Sequence, residues 1–142
     1  MKTIDLIVGA RPNFIKIAPI ISALQARKKS ILAFRLIHTG QHYDTKLSKI
    51  FFDQLGIPNP DINFEVGSGT QAEQSAAILI RYEELLIRKS SDACLVVGDV
   101  NSTMACAISA QKMGIPVAHI EAGIRSNDWS MPEEINRLVT DS

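Results

Sequence analysis

Three carboxylates and two cations fall where a folded chain could use them for chemistry. Asp99 follows Gly98 at the end of one apolar run, and Glu121 ends another, beside Ala122-Gly123. Glu133 comes directly after Pro132. A carboxylate held at such a point is a candidate general acid or base. Arg11 and Lys16 belong to one segment, Gly9-Ala10-Arg11-Pro12-Asn13-Phe14-Ile15-Lys16. Gly9 permits a tight turn, and Pro12 suits the first position of a helix. The free N–H groups of a helix start attract anions, and Arg11 adds a fork of donors suited to phosphate. Lys16, about one turn past Pro12, can share that face. The combination suits proton transfer on an anionic substrate.

Each of these residues also has a plainer reading. Arg11 and Lys16 can be solvated surface charges. Glu121 can pair with Arg125, and spacing favours an i,i+4 pair between Glu133 and Arg137. Asp99 can cap the helix after it, although Asn101 and Ser102 are alternative caps. His38 and His42 have metal-ligand spacing if both lie on one helix, but Gly40 between them argues against a metal site. Gly67-Ser68-Gly69-Thr70-Gln71-Ala72 matches a dinucleotide-binding pattern. It follows the weakest strand of the chain, and Asp92, the acid nearest the right distance, precedes a strand, so no nicotinamide cofactor is expected.

Alternating elements must position these groups. Ile4–Val8, Phe34–Ile37, Ala93–Val97 and Val117–Ile120 are near-continuous apolar runs, the mark of parallel strands covered on both faces. A weaker run at 62–64 suits a short edge strand. Between them lie helical patterns. One places Phe14, Ile17, Ala18, Ile21 and Leu24 on a face, with a kink expected at Pro19. A second uses Leu47, Ile50, Phe51 and Leu55. A third, 70–89, uses Ala72, Ala76, Leu79 and Leu86. A fourth runs 101–113, closed by Gly114, and a last begins at Pro132. The order predicts an α/β fold, a doubly wound, mainly parallel Rossmann-like sheet with helices on both faces. Ligands then belong beyond the carboxyl ends of the strands.

The chain has 142 residues, enough for one domain, and equal numbers of acidic and basic residues, 15 each. No basic field points to nucleic acid or to an anionic membrane. No stretch reaches the roughly 20 apolar residues of a membrane span, and no signal peptide is evident. Cys94 and Cys106 sit among apolar neighbours and read as buried free thiols, which suits a reducing cytoplasm.

Five motifs occur in order: Gly9-Ala10-Arg11-Pro12-Asn13-Phe14-Ile15-Lys16, Thr39-Gly40-Gln41-His42, Gly98-Asp99-Val100-Asn101-Ser102-Thr103, His119-Ile120-Glu121-Ala122-Gly123-Ile124-Arg125 and Met131-Pro132-Glu133-Glu134-Ile135-Asn136-Arg137. Together they resemble the non-hydrolysing UDP-N-acetylglucosamine 2-epimerase family over the whole chain. The resemblance implies the N-terminal half of a GT-B fold, with the active site in a cleft between two Rossmann-like domains. It implies interconversion of UDP-N-acetylglucosamine and UDP-N-acetylmannosamine by elimination and re-addition of UDP, a place in polysaccharide biosynthesis, no cofactor, and a homodimer. It places Asp99, Glu121, Glu133 and Lys16 among the catalytic residues and Arg11, Arg125 and Arg137 among those binding substrate. Gln41, with His42 beside it, falls at a regulatory second UDP-N-acetylglucosamine site. There Asp44 and Ser68 stand where regulated bacterial members carry a Gln and an Arg. Family members are more than twice this length. Residues 1–142 are therefore expected to be one domain, cut short at its C-terminal end. The UDP-binding second domain, with its catalytic His, is expected to be absent and the chain inactive alone. The alternatives are a GT-B nucleotide-sugar hydrolase or glycosyltransferase, and a non-enzymatic α/β binding module.

Overall fold

A computed structural model describes residues 1–27, 31–40 and 45–142. Strand β1 (Lys2–Val8) leads through helix α1 (Arg11–Ala26) to β2 (Leu32–His38), and α2 (Thr45–Leu55) leads to β3 (Ile62–Asn63). Helix α3 (Gln71–Arg88) then leads to β4 (Ala93–Val97), α4 (Asn101–Lys112) to β5 (Val117–Ile120), and α5 (Pro132–Asp141) comes last. The strands form one parallel sheet in the order β3-β2-β1-β4-β5. The chain moves outward from β1 in one direction, then returns and moves outward in the other. The reversal leaves a crevice between the carboxyl ends of β1 and β4.

Two apolar clusters cover the two faces. Leu6, Val8, Leu36 and Val97 meet Phe14, Ile17 and Ile21 of α1 and Phe52 of α2. Ile7, Ile37, Cys94 and Val96 meet Ile78, Tyr82, Leu85 and Leu86 of α3 and Ala105, Cys106 and Ala110 of α4. Period-2 alternation in β1 sends Leu6 and Val8 to one face and Asp5 and Ile7 to the other. Both cysteines are free and buried, and burial pushes the Cys94 thiol up to about 12.

The expected strands are all present, and the 62–64 run is indeed the short edge strand β3. Two helix faces differ from their expected ones. In α2 Ile50 is exposed and Phe52 is buried instead. In α3 Ala72 and Ala76 face solvent, while Ile78, Tyr82 and Leu85 form the buried stripe. The large side chains at i, i+4 and i+7 set that stripe and override the alanines. Helix α1 runs unbroken through Pro19, which is exposed. Pro12 is its second residue, not its first.

The buried face of α3 holds a polar anchor. Asp5, fully buried, accepts from Arg35 Nε at 2.6 Å and Nη2 at 2.8 Å, and from the Tyr82 hydroxyl at 2.8 Å. Arg35 Nη1 also donates to the Lys89 carbonyl. Two strands and α3 are thereby tied by a fully satisfied ion pair, the arrangement that burial of charge demands.

Candidate active site

The β1–α1 turn differs from the expected anion cradle. Asn13 Oδ1 accepts from the N–H groups of Gly9 at 2.9 Å and Ala10 at 3.0 Å. Its Nδ2 donates to the Val97 carbonyl at 3.4 Å, fastening the ends of β1 and β4 together. Those two amides are therefore engaged by the chain itself. Arg11 and Lys16 do not share a face. The Arg11 guanidinium lies 5.4 Å from the centre of the Phe51 ring on α2, toward β2. Lys16 Nζ reaches the other way and sits 2.7 Å from both carboxylate oxygens of Glu121.

Glu121 therefore pairs with Lys16, not with Arg125. Its backbone has φ +70, a left-handed conformation that a side chain makes costly. The strain holds the carboxylate at the end of β5, bridged across the end of β4 to α1. Glu65 and Asn127 share this backbone region, and of the three Glu121 is, among the described residues, the one at a strand end in an ion pair.

Asp99 caps no helix. The N-cap of α4 is Val100, without a side-chain hydrogen bond. Instead Asp99 Oδ2 accepts from Arg137 Nη2 at 2.7 Å and Nε at 3.1 Å. The Asp99 carbonyl accepts from Asn136 Nδ2 at 2.9 Å. Asn136 also donates to Asn101 Oδ1 at 3.2 Å, and Asn101 Nδ2 donates to Gln71 and Gln74 of α3. A ladder of amides thus ties α5 and α3 to the loop that carries Asp99.

The i,i+4 pair of Glu133 with Arg137 is not formed. Arg137 pairs with Glu134 at 3.2 Å and with Asp99. Among the described residues Glu133 has no ion-pair partner, and it is half-buried at the first turn of α5. Its neighbour Glu134 is the buried one. Glu134 accepts from the N–H groups of Ser126 and Asn127, and these bonds with Arg137 hold its carboxyl below the usual range despite burial. Arg125 pairs with Asp141 at 2.8 Å.

Sequence reasoning missed Asn13, His119, Glu134, Asn136 and Asp141. Each organises backbone at a strand end, and only the fold reveals which loop each one meets. The one signal on offer was the clustering of polar residues in the last helix. Gln41 and His42, with Asp44, lie outside the described residues. His38 is buried against Phe14 and accepts the Gly40 N–H on Nδ1 at 2.7 Å, so that nitrogen is not open to a metal. Burial lowers its pKa to about 4. The Gly67–Ala72 pattern is the N-terminus of α3, where Thr70 caps the Glu73 N–H. Glu73 in that first turn opposes a diphosphate.

A doubly wound domain with acids and bases gathered at its switch-point crevice is the architecture of a small-molecule enzyme or binding domain. Comparison with known proteins narrows the class. Residues 23–142 match the family model described as UDP-N-acetylglucosamine 2-epimerase. A UDP-N-acetylglucosamine 2-epimerase homolog of Methanococcus maripaludis is 50% identical over 135 residues, 95% of this chain and 37% of that protein. A UDP-2,3-diacetamido-2,3-dideoxy-D-glucuronate 2-epimerase of Pseudomonas aeruginosa is 44% identical over 95% of this chain and 38% of its own length. The crystal structure of Methanocaldococcus jannaschii UDP-GlcNAc 2-epimerase in complex with UDP-GlcNAc and UDP superposes with a TM-score of 0.91 at 47% identity. That superposition covers 98% of this chain and 38% of that one.

The chain belongs to the UDP-N-acetylglucosamine 2-epimerase family. It spans somewhat over a third of the length of these relatives. Among the described residues no helix is long and apolar enough to cross a membrane.

Proposed function

We propose that this chain supplies the sugar-side acid–base groups of an isomerase that inverts C2 of a UDP-linked acetamido sugar. The observation that carries this is the placing of two candidate catalytic carboxylates, Glu121 and Asp99, at the ends of adjacent strands beside the switch point, each held by a cation. The C2 proton is too weakly acidic for simple exchange. The route is elimination: a base takes the C2 proton as the C1–O bond breaks and UDP leaves, giving a glycal. Re-addition then protonates C2 from the opposite face and re-forms the C1–O bond to UDP. One acid and one base are needed, and Asp99, Glu121 and Glu133 are the residues we assign to that pair. Lys16 and Arg11 are assigned to the leaving diphosphate, which needs cationic stabilisation. Arg125 and Arg137, paired with Asp141 and Asp99, are assigned to hold those carboxylates in place beside the substrate.

Because the relatives are more than twice as long, we assign residues 1–142 to one Rossmann-like domain and the rest of the UDP pocket to a second. The two buried free thiols support a cytoplasmic setting.

The test is conversion of UDP-N-acetylglucosamine in deuterated water, followed by NMR. The full-length protein should give UDP-N-acetylmannosamine carrying deuterium at C2, and the 142-residue chain alone should give none. Asp99→Asn and Glu121→Gln should each slow conversion by roughly 100-fold or more, the scale of a lost acid or base. Release of free N-acetylmannosamine, or transfer to an acceptor, would instead identify a hydrolase or transferase. Activity of the full-length protein indifferent to both substitutions would leave this domain as a binding module. The Pseudomonas aeruginosa relative favours a second reading, in which the substrate is a diacetamido uronate. Running the two nucleotide sugars side by side decides between them by kcat/KM.

A further inference from the structure

Behind the two carboxylates lies a His–Asp pair that the proposed chemistry does not use. His119 projects from β5 and is 8% exposed in its side chain, and Asp141 of α5 is 13% exposed. His119 Nδ1 lies 2.6 Å from Asp141 Oδ1, and Nε2 lies 2.7 Å from the Gly98 carbonyl oxygen. A carbonyl only accepts, so Nε2 carries a proton. Hydrogen bonds from Arg125, Gly123 and His119 outweigh burial and hold the Asp141 carboxyl down at about 2. Nδ1 faces the Asp141 carboxylate across the shorter of the two contacts. The ring joins the Asp141 carboxylate to the Gly98 carbonyl, one nitrogen to each.

Both ends of this pair reach a candidate catalytic loop. Gly98, at φ +76, directly precedes Asp99. At the other end Asp141 Oδ2 accepts from the Gly123 N–H at 2.9 Å and from Arg125 Nη1 at 2.8 Å. Gly123, at φ +83, comes two residues after Glu121, at φ +70. The loop that carries these two left-handed residues is thus pinned at Gly123 on one carboxylate of α5, and the same carboxylate reaches the Asp99 loop through a single imidazole. The helix reinforces that loop with the Asn136 contact to the Asp99 carbonyl. A groove of about 680 Å³ against the outer side of β5, lined by Val117, His119, Val139 and Asp141 among others, lies behind this pair. It backs the site and does not form it.

We propose that His119 and Asp141 form a positioning dyad that sets the Asp99 and Glu121 loops together. The proposal rests on the C2 epimerisation argued above. It predicts that loss of the ring misplaces the acid–base groups without removing substrate contacts.

In the full-length protein, His119→Ala should lower kcat by roughly 10–100-fold, the scale seen when a group that orients a reacting group is lost. KM should stay within about twofold, because binding contacts common to ground and transition states remain. His119→Gln places an amide N–H near the Nε2 position and should recover most of that loss. A His119→Ala kcat within about twofold of wild type, or a His119→Gln variant no better than Ala, overturns the proposal. If the alanine variant does not fold, the glutamine variant and Asp141→Asn carry the same comparison of kcat with KM. A readout independent of activity separates this proposal from the functional one. In protein labelled with ¹⁵N-histidine, Nε2 of His119 should carry the proton it donates to the Gly98 carbonyl. Asp141→Asn should shift the Asp99 and Gly123 amides together. An unprotonated Nε2, or a shift confined to Gly123, overturns the dyad even if epimerisation is confirmed. Absence of epimerisation with these signals present overturns only the functional reading.

Discussion

Two Asp–Arg pairs, Asp5–Arg35 and Asp99–Arg137, differ in what surrounds them. In the first, side-chain exposure is 0% for Asp5 and 7% for Arg35, and both carboxylate oxygens are bonded. In the second, Asp99 is 34% exposed and meets Arg137 through Oδ2 alone. The first pair lies midway along β1 and β2, between the sheet and α3. The second lies at the carboxyl rim, where the fold opens. A closed pair has no remaining capacity for a ligand, whereas the open pair leaves Asp99 partly exposed with Oδ1 outside the ion pair. The same residue types thus become structure in one place and candidate chemistry in the other. Depth along the strand, not composition, decides which.

The largest effect that can break this contrast is on stability. Asp5→Ala leaves Arg35 and the Tyr82 hydroxyl without their acceptor in the core. It should destabilise the fold by about 3–5 kcal/mol, the usual result of removing one partner of a buried pair. Urea unfolding measures it. A loss below about 1 kcal/mol would mean the pair behaves as a surface one, and the contrast with the rim would fail.

Acid separates the regions next. Burial holds His38 neutral, lowering its pKa from 6.5 to about 4. Between those values the unfolded chain binds a proton that the native chain does not, so stability falls as pH drops through this window and this contribution levels off below it. The total is roughly 3 kcal/mol. Asp141 acts in a lower window. Its pKa is lowered from 3.8 to about 2, so its contribution is intact above the upper value and is lost as pH falls toward the lower one. His38→Asn keeps an acceptor for the Gly40 N–H and should flatten the upper slope while leaving the lower one. Unfolding measured in steps of pH on both proteins checks this. An unchanged upper slope would remove His38 as its source.

Most of this architecture is legible in the sequence. Apolar runs locate every strand, because a parallel sheet covered on both faces needs near-continuous apolar residues. Asp99 and Glu121 are visible because polar residues at strand ends stand out against those runs. The partners are not legible. Spacing proposes Glu121 with Arg125 and Glu133 with Arg137, since local pairs are all that spacing can see. The fold instead brings Lys16, 105 positions away, to Glu121, and Asp99, 38 positions away, to Arg137. Asn13 reads in sequence as a bystander in an anion loop, yet its amide occupies that loop's own N–H groups. Asp5 reads as an interruption of β1, because nothing local shows that Arg35 and Tyr82 will meet it.

A smaller effect probes backbone strain at the rim. Glu121 adopts φ +70, which glycine adopts freely and a side chain makes costly. Glu121→Gly and Glu121→Ala both remove the carboxylate, so their difference isolates the backbone. The glycine variant should be more stable than the alanine variant by about 1 kcal/mol, a left-handed penalty of roughly 1–2 kcal/mol less the roughly 0.5–1 kcal/mol of glycine's extra chain entropy. Both should be inactive in the full-length protein. Equal stability would mean the loop relaxes when the Lys16 contact is lost, and that the strain is not stored at Glu121.

The smallest expected stability effect falls on Lys16, and it completes the contrast. Lys16 and Glu121 are 33% and 36% exposed, so water screens their attraction. Lys16→Ala should change stability by about 1 kcal/mol or less. If Lys16 stabilises a leaving diphosphate, the same substitution should lower kcat strongly, because electrostatic stabilisation acts where charge develops. Lys16→Arg keeps the charge but changes a compact ammonium to a planar fork, and should restore only part of the rate. Asp5→Ala would then be a change that the fold cannot bear, and Lys16→Ala one that the fold hardly registers but the reaction does. If Lys16→Ala cost several kcal/mol and spared kcat, the Lys16–Glu121 pair would be a structural strut like Asp5–Arg35, and the acid–base assignment at the end of β5 would have to be withdrawn.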